Sequence, residues 1–414
     1  MLDLKFIRAD PGAVLAGAAK KRIPIDLDRI LDLDRQLREA SVRVDALRAQ
    51  QNEASKAIGK APPAERARLA EEQKQKKADL KAQEEALAPL SKELNDLLLR
   101  VPNVPAPEVP EGKDDTENVE VKRWGKVREF TFAPRPHYDL GEAQGWLDFT
   151  RASAMAGSRN YILFGDLALL HDAVLRWAVD HLVARGFVAI DPPLLVRDAA
   201  MYGTGFFPAE RFEIYEVADE SLYLTGTSEV ALAGLHMTEI LKRDELPLRY
   251  TAFSANFRRE AGAAGRDTRG MFRVHQFNKV EMFSYVLPEE SWDEHERLLA
   301  AEESLAAELG LPYRVVNIAA SELSAAAAKR YDIEAWFPSQ ERYRELTSAS
   351  NTTDYQSRRL GIRYRGDRGT DHVHTLNGTA VTDRWALAVL ENFQGEVPEV
   401  LQQFGAPARV SDAT

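Results

Sequence analysis

The chain has 414 residues, 44% hydrophobic and 29% charged, with a formal net charge of −11; this globular composition has room for two or three domains, and its acidic balance argues against indiscriminate nucleic-acid binding. No cysteine is present, which excludes disulfides, thiolate zinc sites and a cysteine nucleophile and fits a reducing compartment. The first residues lack the basic-then-apolar order of a signal peptide, and no run approaches the roughly 18 apolar residues of a membrane span, so a cytoplasmic protein with no membrane partner is expected.

The first predicted elements are two long helices. Ile30, Leu33, Leu37, Ala40, Val44, Leu47, Gln51, Ala54 and Ile58 are spaced by alternating steps of three and four. After the break "GKAPPAE", Leu69, Gln73, Lys76, Leu80, Gln83, Leu87, Leu90, Leu94 and Leu97 repeat the pattern. Two heptad runs joined by Gly-Pro-Pro predict an antiparallel coiled coil. A hairpin that buries only its seam is expected to project as an arm. Lys56, Lys60, Arg66, Arg68, Lys74 and Lys77 gather toward its turn. They read either as a solvated helical surface or as a contact for a phosphate backbone.

Prolines 102, 105, 107 and 110 then stop the helix, and a charged stretch follows. The reading is an N-terminal domain over 1–105, a linker over 106–125 and a mixed domain over 126–414. In that last domain the segments 186–196, 249–260, 272–286, 313–318 and 372–381 are predicted as strands. Helices are predicted near 166–185, 229–243, 289–309 and 384–394. Neither a G-x-G-x-x-G nor a P-loop pattern is present. The fold class is α+β, an antiparallel sheet flanked by helices.

The densest chemistry lies in "FRREAGAAGRDTRGMFRVHQF", residues 257–277, with Arg258, Arg259, Arg266, Arg269 and Arg273. Guanidinium groups are costly to bury without partners, and their planar forks suit the oxygens of a phosphate. Alternation along 272–286 puts Arg273, His275, Phe277, Lys279 and Glu281 on one strand face and Val274, Gln276, Val280 and Met282 on the other. The glycines of the loop suggest close approach by a ligand, with Phe277 able to stack on a base. The alternative is an exposed sheet face laced with salt bridges.

Three stretches resemble, in order, motifs 1, 2 and 3 of class II aminoacyl-tRNA synthetases: "GFVAIDPPLLV", "FRREAGAAGRDTRGMFRVHQFNKVE" and "LNGTAVTDRWALAVLEN". With "LTGTSEVAL", "ELTSASNTTDYQSRRLGIRYR" and the N-terminal hairpin, the resemblance narrows to seryl-tRNA synthetases of bacterial type and covers nearly the whole chain. It implies a ligase that activates L-serine with ATP and loads it onto serine tRNA, with selenocysteine tRNA as a further acceptor in the family. The implied serine site comprises Thr227, Glu229, Arg258, Glu281, Asn377 and Thr379. The implied ATP site comprises Arg258 and Glu260 of motif 2, Val274 and Phe277 as the adenine platform, Glu345, Ser348 and Arg384. Arg258, Glu260 and Arg384 are the implied catalytic residues, and Glu345 and Ser348 the contacts for Mg2+; no zinc is implied. The basic half of the hairpin, with Arg266 and Arg269 in the motif 2 loop, is expected to hold tRNA. A homodimer through motif 1 is implied, each hairpin serving the other subunit's site, and no DNA partner is expected.

The chain departs from the family pattern in three places. Motif 3 is one residue shorter between Asn377 and Arg384, with Asp383 beside the arginine; Ser321-Glu322 stands where Gly-Asp is usual; and the C-terminal segment is short. Two rival readings accompany the main one: a ligase that loads an amino acid onto a carrier protein, and a non-catalytic paralogue that binds tRNA.

Overall fold

The computed structural model describes residues 1–410 apart from Ala61, residues 262–266, Thr268 and Arg368, and apart from the side chains of Ala57, Gly59, Lys60 and Pro63. It divides into two compact units, Leu2–Pro102 and Asn103–Thr414, the second also taking in Met1.

In the first unit, short helices Leu4–Ala9 and Pro11–Lys20 precede α1 (Leu27–Lys60) and α2 (Pro63–Leu98). At 1.5 Å per residue, each long helix runs about 50 Å. The heptad reading holds: Ile30, Leu33, Ala40 and Val44 of α1 and Leu80 and Leu94 of α2 are buried in the seam. Arg29–Glu93 (2.7 Å) and Arg48–Glu84 (2.8 Å) bridge the two helices. Toward the turn the seam turns polar, and the Gln73 amide donates to the Ser55 hydroxyl across it. Gln83, assigned to the seam by its spacing, is exposed. Pro63 opens α2 at its first position, where a missing N–H costs nothing.

The second unit is built on one eight-stranded sheet. Its strands are β1 (Val119–Trp124), β2 (Val188–Ile190), β3 (Leu248–Phe257), β4 (Gln276–Val286), β5 (Tyr313–Asn317), β6 (Lys329–Phe337), β7 (Arg342–Asn351) and β8 (His374–Thr382), in the order β1-β5-β6-β7-β8-β4-β3-β2. Every pairing is antiparallel except β2 with β3. Helices α3 (Gly165–Val183), α4 (Ser291–Glu308) and α5 (Asp383–Phe393) share one hydrophobic core with the sheet. Leu170, Val174 and Trp177 of α3, Leu298 and Leu305 of α4 and Trp385 of α5 meet Val280, Met282, Ile333, Ala335 and Ala349 in it. The opposite sheet face carries a second apolar cluster, with Phe283 and Tyr285 against Leu232, Leu360 and Ile362, and beside it a polar stretch that carries the site.

Two β-bulges shape that polar stretch. In the β6–β7 pair Ile333 faces Thr347 while Glu334 faces Glu345, leaving Leu346 as the extra residue. Without the bulge, Glu345 and Ser348 would point to opposite faces; with it they share one. In the β8–β4 pair Thr379 faces Glu281 and Val381 faces Val280, leaving Ala380 extra. That puts Asn377, Thr379 and Thr382 together with Lys279 and Glu281.

Several expectations change. Residues 272–275 are irregular and β4 begins at Gln276. The strict alternation through 272–286 therefore fails at its start, and Val274 and Phe277 line the same cavity. The segment 186–196 splits at Pro192-Pro193: β2 ends at Ile190, and Leu195–Arg197 pairs with Leu222–Leu224 in a separate small sheet. Prolines lack the N–H that a continuous ladder needs. The expected helix over 229–243 lasts only through Glu229–Gly234, then turns at Thr238 (φ 65°) into a short strand, Ile240–Lys242. The segment 106–125, read as a linker, ends in β1, an edge strand exposed along its length, which is why its charged pattern reads as loop. Strands β6 and β7 were absent from the sequence reading.

Candidate active site

A cavity of about 390 Å³ opens on the polar stretch of the sheet. One end gathers carboxylates around a single ammonium group. Thr227 stands just before the helix Glu229–Gly234, and its hydroxyl oxygen accepts from the Glu229 N–H (3.2 Å) and from Lys279 Nζ (2.6 Å). Its own proton points to Glu281 Oε2 at 3.4 Å. Lys279 also pairs with Glu281, and both side chains are almost fully buried. Burial pushes the Glu281 carboxyl up to about 7, with the Lys279 ammonium working against that rise. Glu229 Oε1 accepts from Gln356 Nε2 (2.8 Å) and Asn377 Nδ2 (3.0 Å). Burial raises its pKa too, opposed by Lys279. Thr379, opposite Glu281 in the ladder, completes this end.

The other end is rich in arginine. Arg258 follows β3; its Nε donates to the Gly226 carbonyl (3.2 Å), and its guanidinium lies over the Phe277 ring at 5.2 Å from the centroid. Glu260, at φ 52°, pairs with Arg273. Arg384, in the first turn of α5, donates to the Glu345 carbonyl (3.1 Å), to Glu345 Oε2 (3.3 Å) and to the Phe272 carbonyl (3.3 Å). Glu345 is also within 3.3 Å of Arg330. Burial works against its charge, but Arg384 and Arg330 outweigh that and hold its carboxyl below the usual range. Val274 and Ser348 lie on the same lining. The cavity thus joins a small acidic pocket holding one lysine to a cradle of arginines beside an aromatic ring. Such a pair of subsites suits an ammonium-bearing acid next to a nucleotide.

A family model for the seryl-tRNA synthetase N-terminal domain matches residues 1–105, and one for the class II core domain of the G, H, P, S and T synthetases matches residues 211–393. A serine–tRNA ligase of Thermobifida fusca is 47% identical over 411 residues, covering 98% of this chain and 97% of its own. The chain belongs to the seryl-tRNA synthetase family. A solved seryl-tRNA synthetase from Pyrococcus horikoshii, complexed with ATP, superposes with a TM-score of 0.91 at 38% identity and full coverage of both chains. The cytoplasmic serine–tRNA ligase of Naegleria fowleri, in complex with AMP, gives 0.86 at 30% identity, covering 99% and 97%.

Within this family member, the residues expected at the serine and ATP sites all line the one cavity. The sequence reading omitted Thr204, Glu210 and Arg330 from the site and gave Lys279 a place on its strand face but no substrate role; all four line the cavity. Lys279 was legible, because it sits two residues before Glu281 on the same strand face. Arg330 was not, since it belongs to a strand the sequence did not reveal. Among the expected tRNA contacts, Lys56, Arg66, Arg68, Lys74 and Lys77 are exposed on the hairpin. Arg68 pairs with Glu72, and Lys74 lies 3.9 Å from Glu71. The Lys60 side chain and Arg266 lie outside the described residues. Arg269 is already engaged, donating to Asp139 (3.2 Å) and lying over the Tyr138 ring at 4.6 Å. No three His, Asp or Glu side chains among the described residues form a group that could hold a metal. Glu345 and Ser348 do offer a low-pKa carboxylate and a hydroxyl on one strand face, a donor set that fits Mg2+ shared with phosphate oxygens.

Proposed function

We propose that the protein activates L-serine with ATP and transfers it to serine tRNA, with catalysis by placement and charge rather than by a protein nucleophile. The observation that carries this is one cavity joining the Thr227–Glu229–Lys279–Glu281 pocket to the Arg258–Arg384 cradle. In this reading the serine ammonium binds at Glu229, beside Asn377. Glu281 accepts the serine hydroxyl, with Thr379 as a neighbour. Two of the donors around Glu281 already converge on Oε2, which leaves Oε1 for the substrate.

Arg258 and Arg384 hold the α- and γ-phosphates, Phe277 and Val274 flank the adenine, and Glu260 receives its amino group. Mg2+, held by Glu345, Ser348 and the phosphates, would offset the phosphate charge. The serine carboxylate attacks the α-phosphorus, the bond to the bridging oxygen breaks, and pyrophosphate leaves with that electron pair. Arg258 and Arg384 need no reorganisation as charge builds on the phosphate oxygens. The terminal ribose hydroxyl of tRNA then attacks the seryl carbonyl. It loses its proton as AMP departs, and an ester remains.

The exposed basic residues Lys56, Arg66, Arg68, Lys74 and Lys77 support tRNA contact by the hairpin, and Lys60 and Arg266 join them by resemblance. A homodimer fits the exposed apolar side chains Leu169, Val188, Leu195 and Phe253. No helix among the described residues is long and apolar enough to cross a membrane, and the family resemblance points to the cytoplasm. Serine-dependent ATP–pyrophosphate exchange, followed by charging of serine tRNA, tests the reading. Exchange no faster with serine than with alanine would sink it; exchange without charging would favour a carrier-protein acceptor.

A further inference from the structure

Asp383 takes no part in the proposed chemistry, yet it is 2% exposed and more heavily hydrogen-bonded than any ligand-facing carboxylate of the site. The Asn278 N–H donates to Oδ1 (3.0 Å) and Oδ2 (3.1 Å), the Tyr161 hydroxyl to Oδ2 (2.6 Å), and His171 Nε2 to Oδ1 (2.7 Å). These donors come from three places: β4 between Phe277 and Lys279, the segment before α3, and α3 itself. Asp383 therefore clamps the start of α5 to the strand that carries the Phe277 ring and Lys279. Thr382 caps the same turn by accepting the Arg384 N–H at 3.3 Å, and the carboxylate lies at the positive end of an 11-residue helix. The next residue is Arg384, whose guanidinium, among the described residues, donates to two backbone carbonyls and the Glu345 carboxylate. Nothing on its own side chain fixes the origin of that reach. Asp383 does.

We propose that Asp383, with His171 and Tyr161, is a positioning network for Arg384, so that the grip on the ATP phosphates in this protein depends on a buried carboxylate whose own oxygens are taken up by Asn278, Tyr161 and His171. A helix cap alone would need only the Thr382 bond. The network adds three side-chain and backbone donors that tie Arg384 to β4 and α3. The inference rests on the reading of Arg384 as a phosphate ligand.

The test is Asp383→Asn, which keeps the size and one acceptor while losing the charge, beside Tyr161→Phe, which deletes a single donor. In pyrophosphate exchange, Asp383→Asn is expected to raise KM for ATP about tenfold or more, the loss of charge-assisted hydrogen bonds. KM for serine should stay within about twofold, and Tyr161→Phe should give a smaller shift in the same direction. Asp383→Glu should recover part of the ATP affinity. Equal rises in both KM values, or an unchanged KM for ATP in folded Asp383→Asn, would overturn the proposal. If Asp383→Asn does not fold, Tyr161→Phe carries the same comparison, and an unchanged ATP affinity there counts against it. Direct ATP binding by equilibrium dialysis separates the two readings. A wild-type protein without serine-dependent exchange defeats the functional reading alone, while equal ATP binding by wild type and both variants defeats the network.

Discussion

Lys279 and Glu281 form the most consequential pair in the cavity. The carboxylate is buried and its pKa sits at about 7, raised above the ordinary value. It therefore takes up a proton as pH falls through neutrality, and a protonated Glu281 no longer accepts freely from a serine hydroxyl. KM for serine should rise as pH drops from 8 to 6 while KM for ATP changes little, measured by pyrophosphate exchange. Because burial drives the rise and the Lys279 ammonium opposes it, Lys279→Met should move the midpoint of that profile upward. It should also raise KM for serine by about ten- to a hundredfold at pH 7.5, the cost of leaving a buried carboxylate without its charged partner. A serine profile unmoved by Lys279→Met would show that the lysine only fills space.

Among the elements, the motif 2 loop and its return strand show how the site is aimed. Gly270 has φ 81°, and a side chain there would collide with the His137 ring and Tyr138. His137 is itself fixed: its Nδ1 faces Glu391 at 2.8 Å, and its Nε2 accepts the Met271 N–H at 3.2 Å. That anchor sets the chain direction just before Phe272, Val274 and Phe277. Gly270→Val should cost about 1–3 kcal/mol through backbone strain and crowding. We expect it to appear as weaker ATP binding with serine binding preserved; equal ATP affinity by dialysis would refute the anchor. The two bulges work at the same scale. Leu346 and Ala380 are single extra residues, yet they decide that Glu345 and Ser348, and Thr379 and Thr382, face one cavity.

For the whole molecule, the two units predict separable activities. The residues proposed for serine and ATP all belong to Asn103–Thr414, and the basic hairpin belongs to Leu2–Pro102. Removing residues 30–97 should leave serine-dependent exchange within about threefold of wild type and abolish charging of serine tRNA. Efficient charging by the truncated protein would rule out the hairpin as a tRNA contact. Salt should weaken charging more steeply than exchange, because released counterions drive only the contact with the nucleic-acid backbone.

Much of this was legible in one dimension, for a physical reason. A coiled coil is a local period, and steps of three and four place side chains on one helical face whatever surrounds them. Ile30 to Ile58 and Leu69 to Leu97 therefore announced the hairpin, and only Gln83 strayed to the surface. Arg258 and Glu281 stood out because their residue types are costly to bury unless they meet a ligand or one another, whereas Arg384 was named only through the resemblance to motif 3 of class II synthetases. Strands β6 and β7 were hidden because their polar residues, Arg330, Glu345 and Ser348 among them, face a cavity instead of solvent or core, and so mimic a loop. The bulges, the sharing of Glu281 between Lys279 and Thr227, and the convergence of Tyr161, His171 and Asn278 on Asp383 depend on registers between strands and helices far apart in the chain. Local periodicity settled the two hairpin helices, and residue type marked where a site lies; only cross-strand pairing, where one extra residue reverses a face, decided which side chains meet.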